Sequence, residues 1–371
     1  MQGDLEHALR RWVQAGAIDR AAADRIRTVE SGAERPTRLR WPVIAALVGG
    51  AVALGAGVLL LAASKWDLVS PGVRFALVAL LTTVFHLAGA VVTERFPALA
   101  TTLHAVGTAA LGAGIFLAGL IFQLDSGLAG AILLWAVGAA LAWAILRDWP
   151  QAVYTAVLLP FWLVLELTER LPGVRLAETV ALGGLLLLGL VYLAASAPRA
   201  LDPVRRALTW TGAVSVVPLA LLLGLNAGPQ ANQVSMPVEP RWLLATAAAL
   251  AFLVPMIVTV LLRGTAGWPA VVAALWVLAG IALQGLPPEA AYVWGAVGAI
   301  GLAAWGVLDG SHLRVNLGVV GLGLTILVFY SSNLMTRLGR SFSLIGLGVL
   351  LLAGGWLLER ARRHLLAAVE R

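Results

Sequence analysis

Two histidines stand in long apolar stretches of the chain, where an ionisable side chain is costly. His86 lies near the end of one stretch, and His104 lies near the start of the next. If these stretches are helices that cross a membrane, the rise of about 1.5 Å per residue predicts both imidazoles at one depth. That depth is roughly 10 Å below the cytoplasmic surface of the membrane. A facing pair of imidazoles can relay protons or sense pH. The alternative is two neutral histidines that hydrogen-bond to Thr82, Thr83, Thr101 or Thr108.

A second polar group occupies the turns at the opposite ends of the same stretches. All its members are predicted on the outer face of the membrane, where together they can form a polar vestibule. The alternative is solvated loop charge close to the lipid headgroups. The residues are Lys65, Trp66, Asp67, Arg74, Gln123 and Asp125.

The sequence lacks the signatures of the common enzyme classes. It has no Gly-rich phosphate loop, no His-Glu-x-x-His helix and no Gly-x-Ser-x-Gly elbow. It has no cysteine, which excludes thiolate chemistry, and the two histidines have no third metal ligand at their depth. A basic folded domain for nucleic acid is also missing. We therefore predict no enzyme, no catalytic residue, no cofactor, no metal and no nucleic-acid partner.

The elements that carry these residues are transmembrane helices. The chain is 60% hydrophobic and only 12% charged, with a mean hydropathy of +0.90. Its apolar stretches have the roughly 20 residues that a helix needs to cross hydrocarbon about 30 Å thick. We predict an all-α polytopic transmembrane helix bundle of about 12 spans, near residues 42–63, 73–93, 98–122, 127–146, 149–166, 176–196, 207–227, 242–262, 267–285, 289–308, 313–332 and 340–358.

Two local patterns within the spans predict packing and bends. Glycines recur at Gly295, Gly298 and Gly301, and small faces of this kind allow helices to approach closely. Prolines interrupt three spans, where they should kink the helix, at Pro160, Pro218 and Pro255.

The loop charges predict the orientation. Most of the 26 lysine and arginine residues fall on one side if both termini are cytoplasmic. This bias favours an N-in, C-in protein of the bacterial inner membrane, with the lipid bilayer as its surroundings. The oligomeric state has no signature in the sequence.

Three parts of the chain are predicted. Residues 1–40 form a cytoplasmic helical hairpin and a basic linker, residues 41–359 form the transmembrane bundle, and residues 360–371 form a basic cytoplasmic tail. Within the hairpin, Gly16 can end the first helix in a left-handed cap and Asp19 can N-cap the second. The apolar stripe of residues 4–30 is a candidate docking surface for a partner protein.

Sequence motifs in the first third of the chain and near its end resemble a known bacterial family. They are RWVQAGAIDRAAADRI, LLLAASKWDLVSPGVR and LHAVGTAALGAGIFLAGLIFQL, with RVNLGVVGLGLTILVFYSSN and LGRSFSLIGLGVLLLAGGWLLERARR later. The chain is similar to the predicted membrane proteins catalogued as domain of unknown function 2157, over roughly residues 5–125 and 312–363. It departs from that pattern at Lys65 and Phe122. The resemblance implies an inner-membrane location and no established activity.

Two functions remain open from the sequence. The span count and the interrupted helices favour a transporter or permease-like protein. The shortage of charge within the spans makes its solute apolar or amphipathic. The alternative is a non-transporting scaffold or sensor that uses the N-terminal hairpin to bind a partner. A water-filled cavity that reaches both halves of the membrane favours the first, and a dry core with an exposed apolar face on residues 4–30 favours the second.

Overall fold

The structure is a computed structural model of the 371-residue chain. It describes residues 9, 11–16, 18–32, 70–122, 127–171, 175–195, 202–226, 241–283, 287–335 and 340–369. Two compact units are present, Met1–Ser70 and Pro71–Arg371. The first predicted span, residues 42–63, lies outside the described residues.

The first unit contains two helical segments where the sequence predicts a helical hairpin. Gly16 ends the first helix with φ of +69°, in the left-handed conformation that glycine adopts without strain. The second helix, α1, spans Arg20–Gly32. The carboxylate of Asp19 accepts a hydrogen bond of 2.5 Å from the backbone N–H of Ala22, as expected of an N-cap. Leu9 is buried, whereas Trp12 of the predicted stripe is 44% exposed.

The second unit is a bundle of apolar helices, as predicted for an all-α membrane protein. Its first six helices are α2 (Pro71–Val92), α3 (Pro97–Phe122), α4 (Leu128–Leu146), α5 (Trp149–Arg170), α6 (Arg175–Leu193) and α7 (Pro203–Asn226). The remaining helices are α8 (Arg241–Arg263), α9 (Trp268–Ala282), α10 (Pro288–Leu308), α11 (His312–Phe329) and α12 (Arg340–Val369). The described residues contain no β-strand.

Ten of these helices are long and apolar enough to cross a membrane. The exception is α9, whose 15 residues rise only about 22 Å. The 30-residue helix α12 continues past the predicted end of the bundle at residue 359 to Val369. The total of about 12 spans and the N-in, C-in orientation stay predictions.

Helix α6 lies at the centre of the largest apolar core of the bundle. Leu186, Leu187 and Leu193 have no exposed surface, and they pack with residues of α7, α9 and α10. Gly212 of α7 lies directly against the backbone of α6, where a Cβ atom would collide with the carbonyl oxygen of Gly189 and the amide nitrogen of Leu193. The two backbones therefore touch at this crossing, as small residues in membrane helices permit.

A buried arginine joins α6, α10 and α11. Arg314 is 2% exposed, and its Nη1 donates to the carboxylate of Asp309 at 2.5 Å. Its guanidinium lies 4.3 Å from the ring centroid of Trp305, and its Nη2 donates to the carbonyl oxygen of Leu193 at 3.3 Å. Trp305 also donates to the same carboxylate oxygen of Asp309 at 3.0 Å. The charge of Arg314 is thus compensated inside the bundle.

Candidate functional site

The two predicted histidines meet between α2 and α3. Nδ1 of His86 lies 3.1 Å from Nδ1 of His104, and the two rings stack with centroids 5.4 Å apart. His104 is 4% exposed and His86 is half-buried. The antiparallel helices therefore bring the two imidazoles into contact, and their common depth in a membrane stays a prediction.

A glycine on the facing helix makes room for each imidazole. A Cβ atom at Gly89 would lie 2.7 Å from Cε1 of His104, and one at Gly107 would lie 2.8 Å from Cδ2 of His86. Each glycine follows the histidine of its own helix by three residues, one helical turn. The arrangement is therefore reciprocal, and it fixes both rings against backbone rather than against flexible side chains.

The threonines expected to pair with the histidines have other partners. Thr83 donates to the carbonyl oxygen of Ala79, and Thr101 lies 3.5 Å from the carboxylate of Asp148. Thr108 donates to Oε1 of Gln151 at 2.7 Å, deep in the interface of α3 with α5. For Thr83, Thr101 and Thr108 the hydrogen bonds run to other groups, whereas the imidazoles are close enough to bond to each other. That the two histidines are neutral stays a prediction.

The contact between the imidazoles restricts their protonation. A hydrogen bond between two Nδ1 atoms needs one N–H and one lone pair, so one ring must carry its proton on Nε2 alone. If both rings were cationic, both Nδ1 atoms would be donors and the bond would be lost. When the donor ring is an imidazolium, its Nδ1 proton can pass to the neutral ring, which becomes the imidazolium in turn. The relay or sensing role of the pair stays a prediction.

The hydrogen bond between the imidazoles predicts a coupled stability effect. His86→Phe preserves an aromatic ring but leaves the buried Nδ1 of His104 without its partner. We expect the variant to lower the free energy of unfolding by about 1–3 kcal/mol, the cost of an unsatisfied buried polar group. Denaturation in detergent with rising dodecyl sulfate, followed by circular dichroism, measures it.

A double variant separates this effect from simple loss of packing. His86→Phe with His104→Phe removes both polar groups, so we expect it to be more stable than the single variant. Thr102→Val on the exposed side of α3 serves as the control. Additive losses in the two single variants and the double variant would show that the imidazoles are not coupled.

The predicted outer cluster falls mostly outside the described part of the chain. Lys65, Trp66, Asp67, Gln123 and Asp125 all lie outside the described residues. Arg74 lies in the first turn of α2 and is half-buried. The vestibule therefore stays a prediction.

An apolar cavity, which the sequence did not predict, lies among α7, α9, α10 and α11. Its volume is about 320 Å³. Three tryptophans line it, Trp268, Trp276 and Trp305, and Tyr292 and Thr325 are among its few polar lining residues. None of the described residues that line it is charged.

The cavity opens on the side surface of the bundle, where the lining helices face away from the core. Four of its lining residues are more than half exposed, on the side that lipid would cover, and they are Leu225, Trp268, Val272 and Val297. At Gly301, which also lines the cavity, an added Cβ atom would meet no atom within 4 Å. Of the three spaced glycines of α10, Gly301 therefore creates space instead of allowing packing.

A pair of tryptophans fixes the cavity wall where α9 meets α10. The indoles of Trp276 and Trp294 stack with centroids 4.2 Å apart and planes 3° apart. Trp276 donates to the carbonyl oxygen of Trp294 at 3.1 Å, and Trp294 donates to that of Trp276 at 2.8 Å. Gly280 and Gly298 make room for the two rings. Both indole N–H groups are thus satisfied, and the wall is rigid.

Comparison with known proteins supports the membrane assignment. Residues 10–152 match the family model of predicted membrane protein (DUF2157). The match covers both histidines, and it confirms the resemblance within the first third of the chain. The DUF2157 resemblance of residues 312–363 lies outside the matched range and stays a prediction. No curated protein and no solved structure matches the chain.

Proposed function

We propose that this polytopic membrane protein moves an apolar or amphipathic solute, and that the cavity among α7, α9, α10 and α11 binds it. The observation that supports this proposal is the cavity itself. Its volume of about 320 Å³ falls within the range of small-molecule sites, roughly 300–1,000 Å³. A rigid aromatic wall with few polar groups is also typical of such sites.

The chemistry of the lining defines the class of solute. A charged group inside the cavity would lose its hydration without gaining a counter-ion from the lining. A single-chain amphiphile fits this apolar lining when its alkyl chain enters the cavity, and it avoids burying its polar end when that end stays at the opening. The exposed lining residues provide a route by which the alkyl chain of the amphiphile enters the cavity directly from the lipid.

Filling the cavity tests this proposal. Gly301→Leu places an apolar side chain in open space, so we expect the fold to be retained and the cavity to be occupied. We expect the affinity for a brominated alkanol, measured by quenching of tryptophan fluorescence, to fall on the order of tenfold, since the cavity no longer buries the chain. Gly355→Leu on the exposed side of α12 is the matched control, because its Cβ atom also meets nothing.

Translocation is measured in liposomes with a fluorescent single-chain amphiphile that dithionite quenches from outside. We expect faster loss of the inner-leaflet signal with the wild type and with Gly355→Leu than with Gly301→Leu. Equal rates for the wild type and for empty liposomes would exclude transport of this class. Equal quenching of the wild type and Gly301→Leu by the alkanol would exclude the cavity as its site.

A scaffold or sensor role is a second candidate, supported by the exposed Trp12 of the N-terminal hairpin. A large exposed side chain of this kind suits a partner protein or the membrane surface. Removal of residues 1–30 distinguishes the candidates, because transport by the cavity should survive it and a docking role should not.

We further propose the N-in, C-in orientation in a bacterial inner membrane, which the distribution of loop arginines supports. The natural absence of cysteine allows a direct measurement, with a membrane-impermeant maleimide and a single cysteine at Ser311. In oriented vesicles, Ser311→Cys should react from the cytoplasmic side.

A further inference from the structure

The imidazoles of His86 and His104 meet end to end at their Nδ1 atoms. Their planes are 29° apart and their centroids are 5.4 Å apart, whereas the two Nδ1 atoms are 3.1 Å apart. The difference between the two distances is twice the distance from the centre of an imidazole to its nitrogen, so the two centroids and the two nitrogens lie nearly on one line. The lone-pair direction of each Nδ1 atom therefore points at the other Nδ1 atom.

Two nitrogen ligands that face each other suit a particular class of metal ion. Zn²⁺ takes four ligands, and the described residues contain no group of three or more His, Cys, Asp or Glu that could hold a metal. A monovalent ion with a filled d shell, such as Cu(I), binds well to imidazole and forms linear complexes with only two nitrogens. The sequence-based prediction of no metal rested on the missing third ligand, which such an ion does not need.

The pair needs only a small movement to hold this ion. Since a metal–nitrogen bond is about 2 Å long, a linear site needs its nitrogens about 4 Å apart, so each Nδ1 atom must withdraw by about half an ångström. His86 is only half-buried, so its neighbours do not enclose it fully, and small changes in its χ angles provide this movement.

A carboxylate lies close to the pair on the side of the nearer helix end. Thr101, one turn of α3 before His104, lies 3.5 Å from the carboxylate of Asp148. His86 is six residues before Val92, where α2 ends, so the pair is about 9 Å from that helix end. A negative charge nearby lowers the electrostatic cost of a positive ion between the two rings.

We propose that His86 and His104 bind one Cu(I) ion in a linear site between their Nδ1 atoms. Each ring coordinates the ion through Nδ1 and carries its proton on Nε2. The ring that donates in the hydrogen bond moves its proton from Nδ1 to Nε2, so the neutral pair releases no proton and the site gains one positive charge. The proposal does not depend on transport through the apolar cavity.

Competition with a chelator tests the proposal. The protein, carrying no histidine tag, is placed in lipid nanodiscs and titrated without oxygen with Cu(I) in ascorbate, against bicinchoninate. We expect one Cu(I) ion per chain, and we expect an excess of Zn²⁺ to leave it in place because the pair offers two ligands only. Absence of bound Cu(I), or its displacement by Zn²⁺, would overturn the proposal.

Variants assign the ion to the pair. The double variant His86→Phe with His104→Phe keeps both rings without the nitrogens, and we expect it to weaken Cu(I) binding by more than about a hundredfold, since loss of second-shell partners alone costs 10–100-fold. His364→Phe, an exposed position of α12, should leave the affinity unchanged. Unchanged affinity in the double variant would place the ion elsewhere and overturn the proposal.

X-ray absorption of the wild type identifies the ligands without any substitution. We expect two nitrogen atoms and no sulfur around copper. The chain has four methionines, whose thioethers also bind Cu(I), so a sulfur ligand would show that they hold the ion and would overturn the proposal. Gly301→Leu should not affect Cu(I) binding, so failure here is distinguishable from failure of the transport proposal.

Discussion

Asp309→Asn is expected to lower the free energy of unfolding by about 3 kcal/mol, the lower end of the range for breaking a buried ion pair. The variant preserves the shape of the side chain but removes the charge that compensates Arg314. That guanidinium is 2% exposed, so water cannot replace the lost carboxylate. Asp309 itself is partly exposed, which places the cost below the upper end of that range. Unfolding in detergent with rising dodecyl sulfate measures the loss.

Two controls accompany Asp309→Asn. Glu359→Gln removes one partner of exposed ion pairs with Arg362 and Arg363 on α12, and no measurable change is expected. Adding Arg314→Met to Asp309→Asn removes the buried charge altogether, so part of the lost stability should return. A double variant less stable than Asp309→Asn would show that Arg314 stabilises the bundle mainly through Trp305 and Leu193.

Gly212→Ala is expected to destabilise the protein by about 1–3 kcal/mol, the usual cost of overpacking. The new methyl group would collide with backbone atoms of α6, which cannot move aside as a side chain would. The helices α6 and α7 must therefore separate, and the apolar core around Leu186 loses contacts. The shift of the thermal unfolding midpoint in detergent measures the effect.

The sign of the change makes this test specific. Gly355→Ala also replaces a helical glycine, but its Cβ atom meets nothing, so the higher helix propensity of alanine should leave stability equal or raise it. Opposite signs at the two glycines are expected. A stabilising Gly212→Ala would mean that α6 and α7 do not touch at this crossing.

Several features followed from the sequence because they depend on local rules. Apolar length predicted long apolar helices, and the rise per residue predicted that His86 and His104 can meet between two of them. The caps at Gly16 and Asp19 likewise follow from the conformational preferences of single residues. These features require no knowledge of which helices are neighbours.

Features that depend on the packing of distant helices could not be predicted. Nothing in the sequence pairs Arg314 with its neighbours, yet Asp309, Trp305 and the end of α6 bury it. The cavity at Gly301 depends on which faces α7, α9, α10 and α11 present to one another. A glycine in the sequence cannot show whether it allows contact, as Gly212 does, or leaves space, as Gly301 does.

The reciprocal ring and glycine contacts have an evolutionary consequence. Each ring lies against the glycine of the other helix, as His104 does with Gly89 and Trp294 does with Gly280. The two positions of each pair should therefore evolve together. A larger residue at either glycine is tolerable only if the opposite ring shrinks in the same lineage. In an alignment of homologous chains, these positions should covary as ring–glycine pairs between helices, more strongly than the two rings covary with each other.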